Sequence, residues 1–202
     1  MTKPLEVFIG DGQSNKSAPL RDAQMFLVGI KKGYDAATSR AMNRAATSGR
    51  SAAVRTIREE YTIKASTVRR NFKITRATRT SLEAIVSSKG PKIPLVNYRV
   101  TPKTDTTGAK RKQVRVAVKK KGGLKPLGQS FIYKGRPLQR LGSSSLPVKE
   151  VYGPAIPVIA GNDAVSKNVE KTMEETFLKR LDHEVKHLMA VGEVERRGEK
   201  LR

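Results

Sequence analysis

His183-Glu184-Val185-Lys186-His187 carries the one spacing in this chain that suggests metal catalysis. In H-E-x-x-H, two imidazoles one helical turn apart bind zinc and the glutamate acts as general base. A third ligand is then required. The metzincin continuation asks for Gly at position 190 and His at position 193; the chain has Ala190 and Glu193. Helical geometry also opposes the motif. At about 100° per residue, Leu181 and Val185 define the apolar face, and the two histidines fall about 160–200° away. A zincin helix turns its histidines inward. Here they are expected in solvent, on the polar side of an amphipathic helix. No catalytic residue, metal or cofactor is expected, and the chain reads as a non-enzyme.

The second constellation is cationic. Lys110, Arg111 and Lys112 precede a valine-rich stretch, and Lys119, Lys120, Lys121 and Lys125 follow it. Arg69 and Arg70 form a further group, with Arg76 and Arg79 nearby. The whole chain carries 41 basic and 18 acidic residues, a net +23. Residues 61–150 hold 22 basic and 3 acidic side chains, whereas residues 151–202 are balanced at 9 and 9. A field of one sign attracts polyanions and speeds their encounter. The candidates are DNA, RNA, anionic lipid or an acidic protein face. Only Tyr98 and Tyr133 stand near these runs, too thin a set for base stacking. Contact with nucleic acid would therefore go to phosphate, without sequence preference. Neither a P-loop nor a Rossmann fingerprint is present.

These residues must be positioned by a modest core. Hydrophobic residues make up 37% of the 202, aromatics only 5%, so Val, Ile, Leu and Ala must fill the interior. Without cysteine there is neither a disulfide framework nor a thiolate metal site. No apolar run approaches the ~20 residues of a membrane span, and Met1-Thr-Lys-Pro-Leu5 lacks the apolar core of a signal peptide. Neither a membrane nor a small-molecule substrate is an expected partner. In chain order, residues 1–19 read as an N-terminal arm, with a short strand at Leu5–Ile9. Residues 20–71 read as helical, broken or kinked at Thr47-Ser48-Gly49, with Ser66 capping a short helix at Thr67–Asn71. Residues 72–160 form a basic β-rich region. Val114, Val116 and Val118 alternate there with Arg115, Ala117 and Lys119, predicting one buried and one basic face. Residues 161–202 hold a long helix starting at Gly161-Asn162-Asp163, with an apolar stripe at Val165, Val169, Met173, Phe177, Leu181, Val185 and Leu188, and a stop at Gly192 before a charged tail. The fold class is α+β: N-terminal helices, a central antiparallel sheet or small barrel and a long C-terminal helix, expected as one folded unit.

Between sheet and helix lies Leu146-Pro-Val-Lys-Glu-Val-Tyr152-Gly153-Pro154-Ala-Ile-Pro157. Its prolines make it stiff and extended, and Tyr152-Gly153-Pro154 reads as a tight turn. This segment resembles the signature of the prophage minor tail protein Z family, tail-completion proteins of long-tailed phages. The likeness runs in order from about Gly33 to His187, through Arg40-Ala41-Met42-Asn43-Arg44-Ala45, Tyr61-Thr-Ile-Lys64, Lys92-Ile-Pro94-Leu95 and Gln129-Ser-Phe131-Ile. It implies a structural virion protein that acts in the host cytoplasm during assembly and then in the tail or neck. It implies a ring of copies, six-fold, that binds tail terminator and tail tube or neck proteins and meets the double-stranded DNA end. Leu146, Val148, Val151, Tyr152, Pro154 and Ile156 are then the expected partner interface. The cationic residues above would face DNA or an acidic ring. The alternative is a sequence-independent nucleic-acid-binding protein.

Overall fold

The computed structural model describes residues 5–10, 33–105 and 112–199. The chain is α+β, and among the described residues it contains four small antiparallel sheets and no closed barrel. Contacts divide it into two units: Leu5–Ala52, Lys73–Ser87 and Ser166–Arg202 form a helical unit, and Met1–Pro4, Ala53–Phe72 and Ser88–Val165 a β-rich unit.

The helical unit is built on α1, Gly33–Glu60, whose last turns belong to the β-rich unit, and on α4, Asp163–Glu199, which enters the helical unit at Ser166. Ala37, Ala41, Met42, Ala45 and Ala46 are buried along α1, and Val169, Met173, Phe177 and Leu181 along α4. Side chains this small bring two backbones close. Gly49 carries this furthest: a Cβ there would stand 2.3 Å from Met173 Cγ and 3.4 Å from Val169 Cγ1. The break or kink expected at Thr47-Ser48-Gly49 does not interrupt the helix: α1 runs through Gly49, and the space over that residue is filled by α4. Beside it, the Thr176 and Ser48 hydroxyls lie 3.1 Å apart. The expected stop at Gly192 is likewise absent, and α4 continues to Glu199. The part of the helical expectation covering residues 20–32 lies outside the described residues.

A three-stranded sheet completes this unit, with strand order β1 (Glu6–Gly10), β3 (Glu83–Ser88), β2 (Phe72–Thr75). The register Val7↔Val86 sets buried Val7 opposite buried Val86. The strand expected at Leu5–Ile9 is present one residue later. Asn43 secures the exit of β2 to α1 by two bonds of 2.9 Å, its Nδ2 donating to the Ala77 carbonyl and its Oδ1 accepting the Ala77 N–H.

The β-rich unit contains α2 (Ala65–Arg70), strands β4 (Lys92–Pro94), β5 (Arg99–Thr101), β6 (Arg115–Ala117), β7 (Lys125–Pro126), β8 (Ser130–Tyr133), β9 (Arg136–Arg140), β10 (Val148–Glu150) and β11 (Tyr152–Ala155), and the short helix α3 (Ile156–Ala160). A 3-10 turn at Leu95–Asn97 joins β4 to β5. The sheets are β5-β6-β7, β10-β9-β8 and the pair β11-β4. Ser66 does not cap α2; Lys64 holds the cap position without a side-chain bond. Asn162 caps α4 as expected, its Oδ1 accepting the Ala164 N–H at 3.3 Å.

Gly49→Ala tests the helix crossing. In an exposed helix interior this change stabilises by about 0.5–1 kcal/mol. Here it should destabilise by about 1–3 kcal/mol through overpacking against Met173, read as a lower urea midpoint at unchanged m-value.

Candidate polyanion and partner surfaces

The β6–β7 hairpin gathers four of the nine expected cations. Lys119, Lys120 and Lys121 lie on its connection and Lys125 opens β7, all four exposed. Val116, Val118, Lys119, Gly122, Gly123 and Lys125 line an open hollow of about 230 Å³. Gly123, at φ +59°, supplies the left-handed residue that turns the chain back. Lys112 is exposed just before β6; Lys110 and Arg111 lie outside the described residues. Arg69 and Arg70 are exposed in the last turn of α2, where positive charge complements the helix C-terminus.

One of these lysines is already engaged. Lys119 Nζ is 2.6 Å from Glu60 Oε1 and 5.4 Å from the centre of the Tyr61 ring. The bond from Glu60, more than any other neighbour, raises its pKa. Lys119 thus ties the hairpin to the end of α1, as does the Lys120 N–H, which donates to the Glu60 carbonyl at 2.8 Å. Lys120, Lys121 and Lys125 carry no such pairing among the described residues.

The strand beneath them departs from simple alternation. Val114 is buried, but so is Ala117, which the pattern assigns to the basic face, while Val116 and Val118 are only half-buried. The segment following α1 joins the edge of this strand: the Thr62 hydroxyl donates to the Ala117 carbonyl and the Thr62 N–H to the Val118 carbonyl.

The segment expected as a partner interface is only partly exposed. Leu146 is 70% exposed and Tyr152 48%, Val148, Val151 and Pro154 are half-buried, and Ile156 is a core residue at the start of α3. Tyr152-Gly153-Pro154 is strand β11, not a tight turn. It pairs with β4 through Tyr152↔Pro94 and Ala155↔Lys92, with a register shift between. The reason is Tyr98, whose ring is buried under this stretch. Its hydroxyl donates to the Pro154 carbonyl at 3.1 Å, and a Cβ on Gly153 would stand 2.7 Å from its Cε2. Proline is tolerated in such a strand because its carbonyl, not an N–H, makes the bond. Burial, with a smaller contribution from Tyr61, pushes the Tyr98 pKa up to about 12. Tyr98 is therefore a packing residue and offers no face to a base. Tyr133 is exposed, with Lys134 Nζ 5.5 Å from its ring centre.

In the helical unit, His183 and His187 face solvent, as the periodicity requires. Glu184 does not. It is half-buried and ion-paired to Arg40 at 3.2 Å, so the motif's glutamate holds α4 to α1. Sequence spacing alone hides this pair, whose partners are 144 positions apart. Among the described residues, no group of three metal-ligating side chains forms and no helix is long and apolar enough to cross a membrane.

The family model for prophage minor tail protein Z (GPZ) matches residues 20–191. The chain belongs to the prophage minor tail protein Z family. Among curated proteins and solved structures, nothing matches it. Membership makes this minor tail protein a structural component of a phage tail that contacts other tail components in the virion. The match spans the α1 alanine face, the cationic hairpin and the Tyr98-supported strand β11.

Tyr98→Phe should cost this minor tail protein about 0.5–1.5 kcal/mol, the worth of one hydrogen bond. It should also flatten the alkaline limb of stability. With the folded pKa raised to about 12, the unfolded chain loses the phenol proton first as pH rises from about 10. Stability is then lost progressively up to the folded pKa. Subtracting the variant's stability–pH curve from the wild type's cancels the lysines and should leave this decline.

Proposed function

We propose that this minor tail protein completes the tail at the head–tail joint. Copies form a six-fold ring that binds tail terminator and tail tube or neck proteins in the host cytoplasm and stays in the virion. The exposed part of the signature segment, Leu146 and Tyr152, meets a neighbouring subunit, with Val148, Val151, Pro154 and Ile156 as the support beneath. The β6–β7 hairpin faces the DNA end or an acidic ring. The observation carrying this reading is the set of exposed hairpin lysines, of which Lys120, Lys121 and Lys125 have no ion pair among the described residues, in a chain of a tail-protein family. Sequence-independent nucleic-acid binding as the chain's whole role is the second reading, favoured by those same lysines.

Replacing Lys110, Arg111, Lys112, Lys119, Lys120, Lys121 and Lys125 with Gln together is the test. Surface changes usually alter stability by no more than about 0.5 kcal/mol each, and among the described residues only Lys119 loses an ion pair. The variant should fold and enter particles, measured by complementing tails that lack the protein. Those particles should have a defective joint or a DNA end not settled in the tail. Full infectivity would remove the hairpin from the mechanism. Tight duplex binding by the isolated wild-type monomer at physiological salt would favour the second reading.

A further inference from the structure

A second cationic feature lies away from the hairpin tip, in an open cleft of about 400 Å³ in the β-rich unit. Lys64, Arg99 and Lys103 line it, and all three are exposed. None has a carboxylate partner among the described residues. No sequence run joins them, which is why composition does not reveal the cluster. The fold brings them together by backbone bonding. The Lys64 N–H donates to the Asn97 carbonyl at 3.3 Å, and the Arg99 N–H donates to Thr62 Oγ1 at 3.2 Å. Thr67 Oγ1 and Asn97 Oδ1, at 3.1 Å, hold the start of α2 to the same 3-10 turn.

The other wall is fixed by Asp105. Its carboxylate accepts the Lys134 N–H at 2.9 Å and the Gly135 N–H at 3.1 Å, anchoring the stretch after Lys103 to the β8–β9 turn. Those two amides hold its pKa below the usual carboxylate value. This carboxylate is thus committed to backbone, and Gly135 lines the cleft directly. Three cations converging on a concave, partly apolar wall focus a positive field.

We propose that this cleft seats the phosphodiester backbone of nucleic acid, as a site separate from the β6–β7 hairpin. The proposal rests on the reading that the β-rich unit meets nucleic acid. Its residue types favour phosphate over an acidic protein face. Protein-interface cores are depleted of lysine and enriched in aromatics; two of the three cations here are lysines, and the aromatic Tyr98 is buried beneath them. Tyr98 lines the cleft but is only 5% exposed, so contact is to backbone charge and insensitive to base sequence.

The test is the salt dependence of binding to a fluorescent random-sequence DNA duplex, read by anisotropy with the full chain. Lys64→Gln, Arg99→Gln and Lys103→Gln together should reduce the log–log salt slope by about 2–3, at about 0.9 for each phosphate left without its cation. A control triple at exposed positions of the helical unit, Lys73→Gln, Lys167→Gln and Lys179→Gln, removes the same net charge and should change the slope by less than about 1. Lys64→Arg, Arg99→Lys and Lys103→Arg, which keep every charge, should retain the wild-type slope; a thermal melt confirms folding of each. Equal slope losses in the cleft and control triples would overturn the site, as would an unchanged slope in the cleft triple. Loss of binding to poly-glutamate with unchanged duplex binding would also overturn it, in favour of an acidic protein. Tail complementation separates the two proposals. A cleft triple with unchanged duplex binding and normal particles removes this site and leaves the tail role standing. A chain that does not complete tails but shows the expected slope change does the reverse.

Discussion

The carboxylates of the β-rich unit are too few and too committed to neutralise its cations. Across its residues stand 22 basic and five acidic side chains, against 19 and 13 in the helical unit. Glu60 is taken by Lys119, Asp105 by two backbone amides and Glu150 by the Tyr152 hydroxyl at 2.9 Å. Unpaired like charges on one surface repel, and the compact state bears that cost until a counter-charge arrives. The unit's interior must therefore hold without electrostatic help. It does so with Ile57, Ile63, Val68, Leu95, Val114, Ile132 and Ile156, and with the Tyr98 ring under Gly153. Among the described residues the unit's lysines and arginines stand mostly at exposed positions of turns, strands and helix faces, where they can meet an outside anion.

The helical unit solves a different problem. With few aromatic residues, it gains contact area by bringing backbones close, through the α1 alanines and the space over Gly49 that Met173 fills. Its polar contacts, Arg40 with Glu184 and Asn43 with the backbone of Ala77, fix register where a surface of alanine alone would slide. A closely packed helical unit at a net +6 and a β-rich one at a net +17 suit an assembly protein whose two kinds of surface meet different neighbours.

Much of this was legible in the sequence. The stripe from Val165 to Leu181 is buried, and β1 lies within one residue of the strand expected at Leu5–Ile9. The outward turn of His183 and His187 followed from angle alone. The misreadings share one cause: local signals describe a residue's own backbone preference, not what fills the space around it. Gly49 looked like a break but is a contact, and Gly192 did not end α4. Gly153 and Pro154 looked like a turn until Tyr98, over fifty positions earlier, supplied a ring and a hydroxyl. Ala117 looked open but is buried, on a strand whose edge Thr62 joins. The cleft of Lys64, Arg99 and Lys103 had no signal, because spacing in the chain cannot show three isolated cations converging.

The direct test of uncompensated charge in the β-rich unit is thermal unfolding of the wild-type protein with and without a random-sequence DNA duplex, across a salt series. A ligand that binds only the folded state raises the midpoint by mass action. Binding driven by counterion release fades as salt rises. The expected result is a higher midpoint with duplex at about 50 mM salt and a vanishing difference toward about 500 mM. No shift at low salt, or one that salt leaves unchanged, would contradict it.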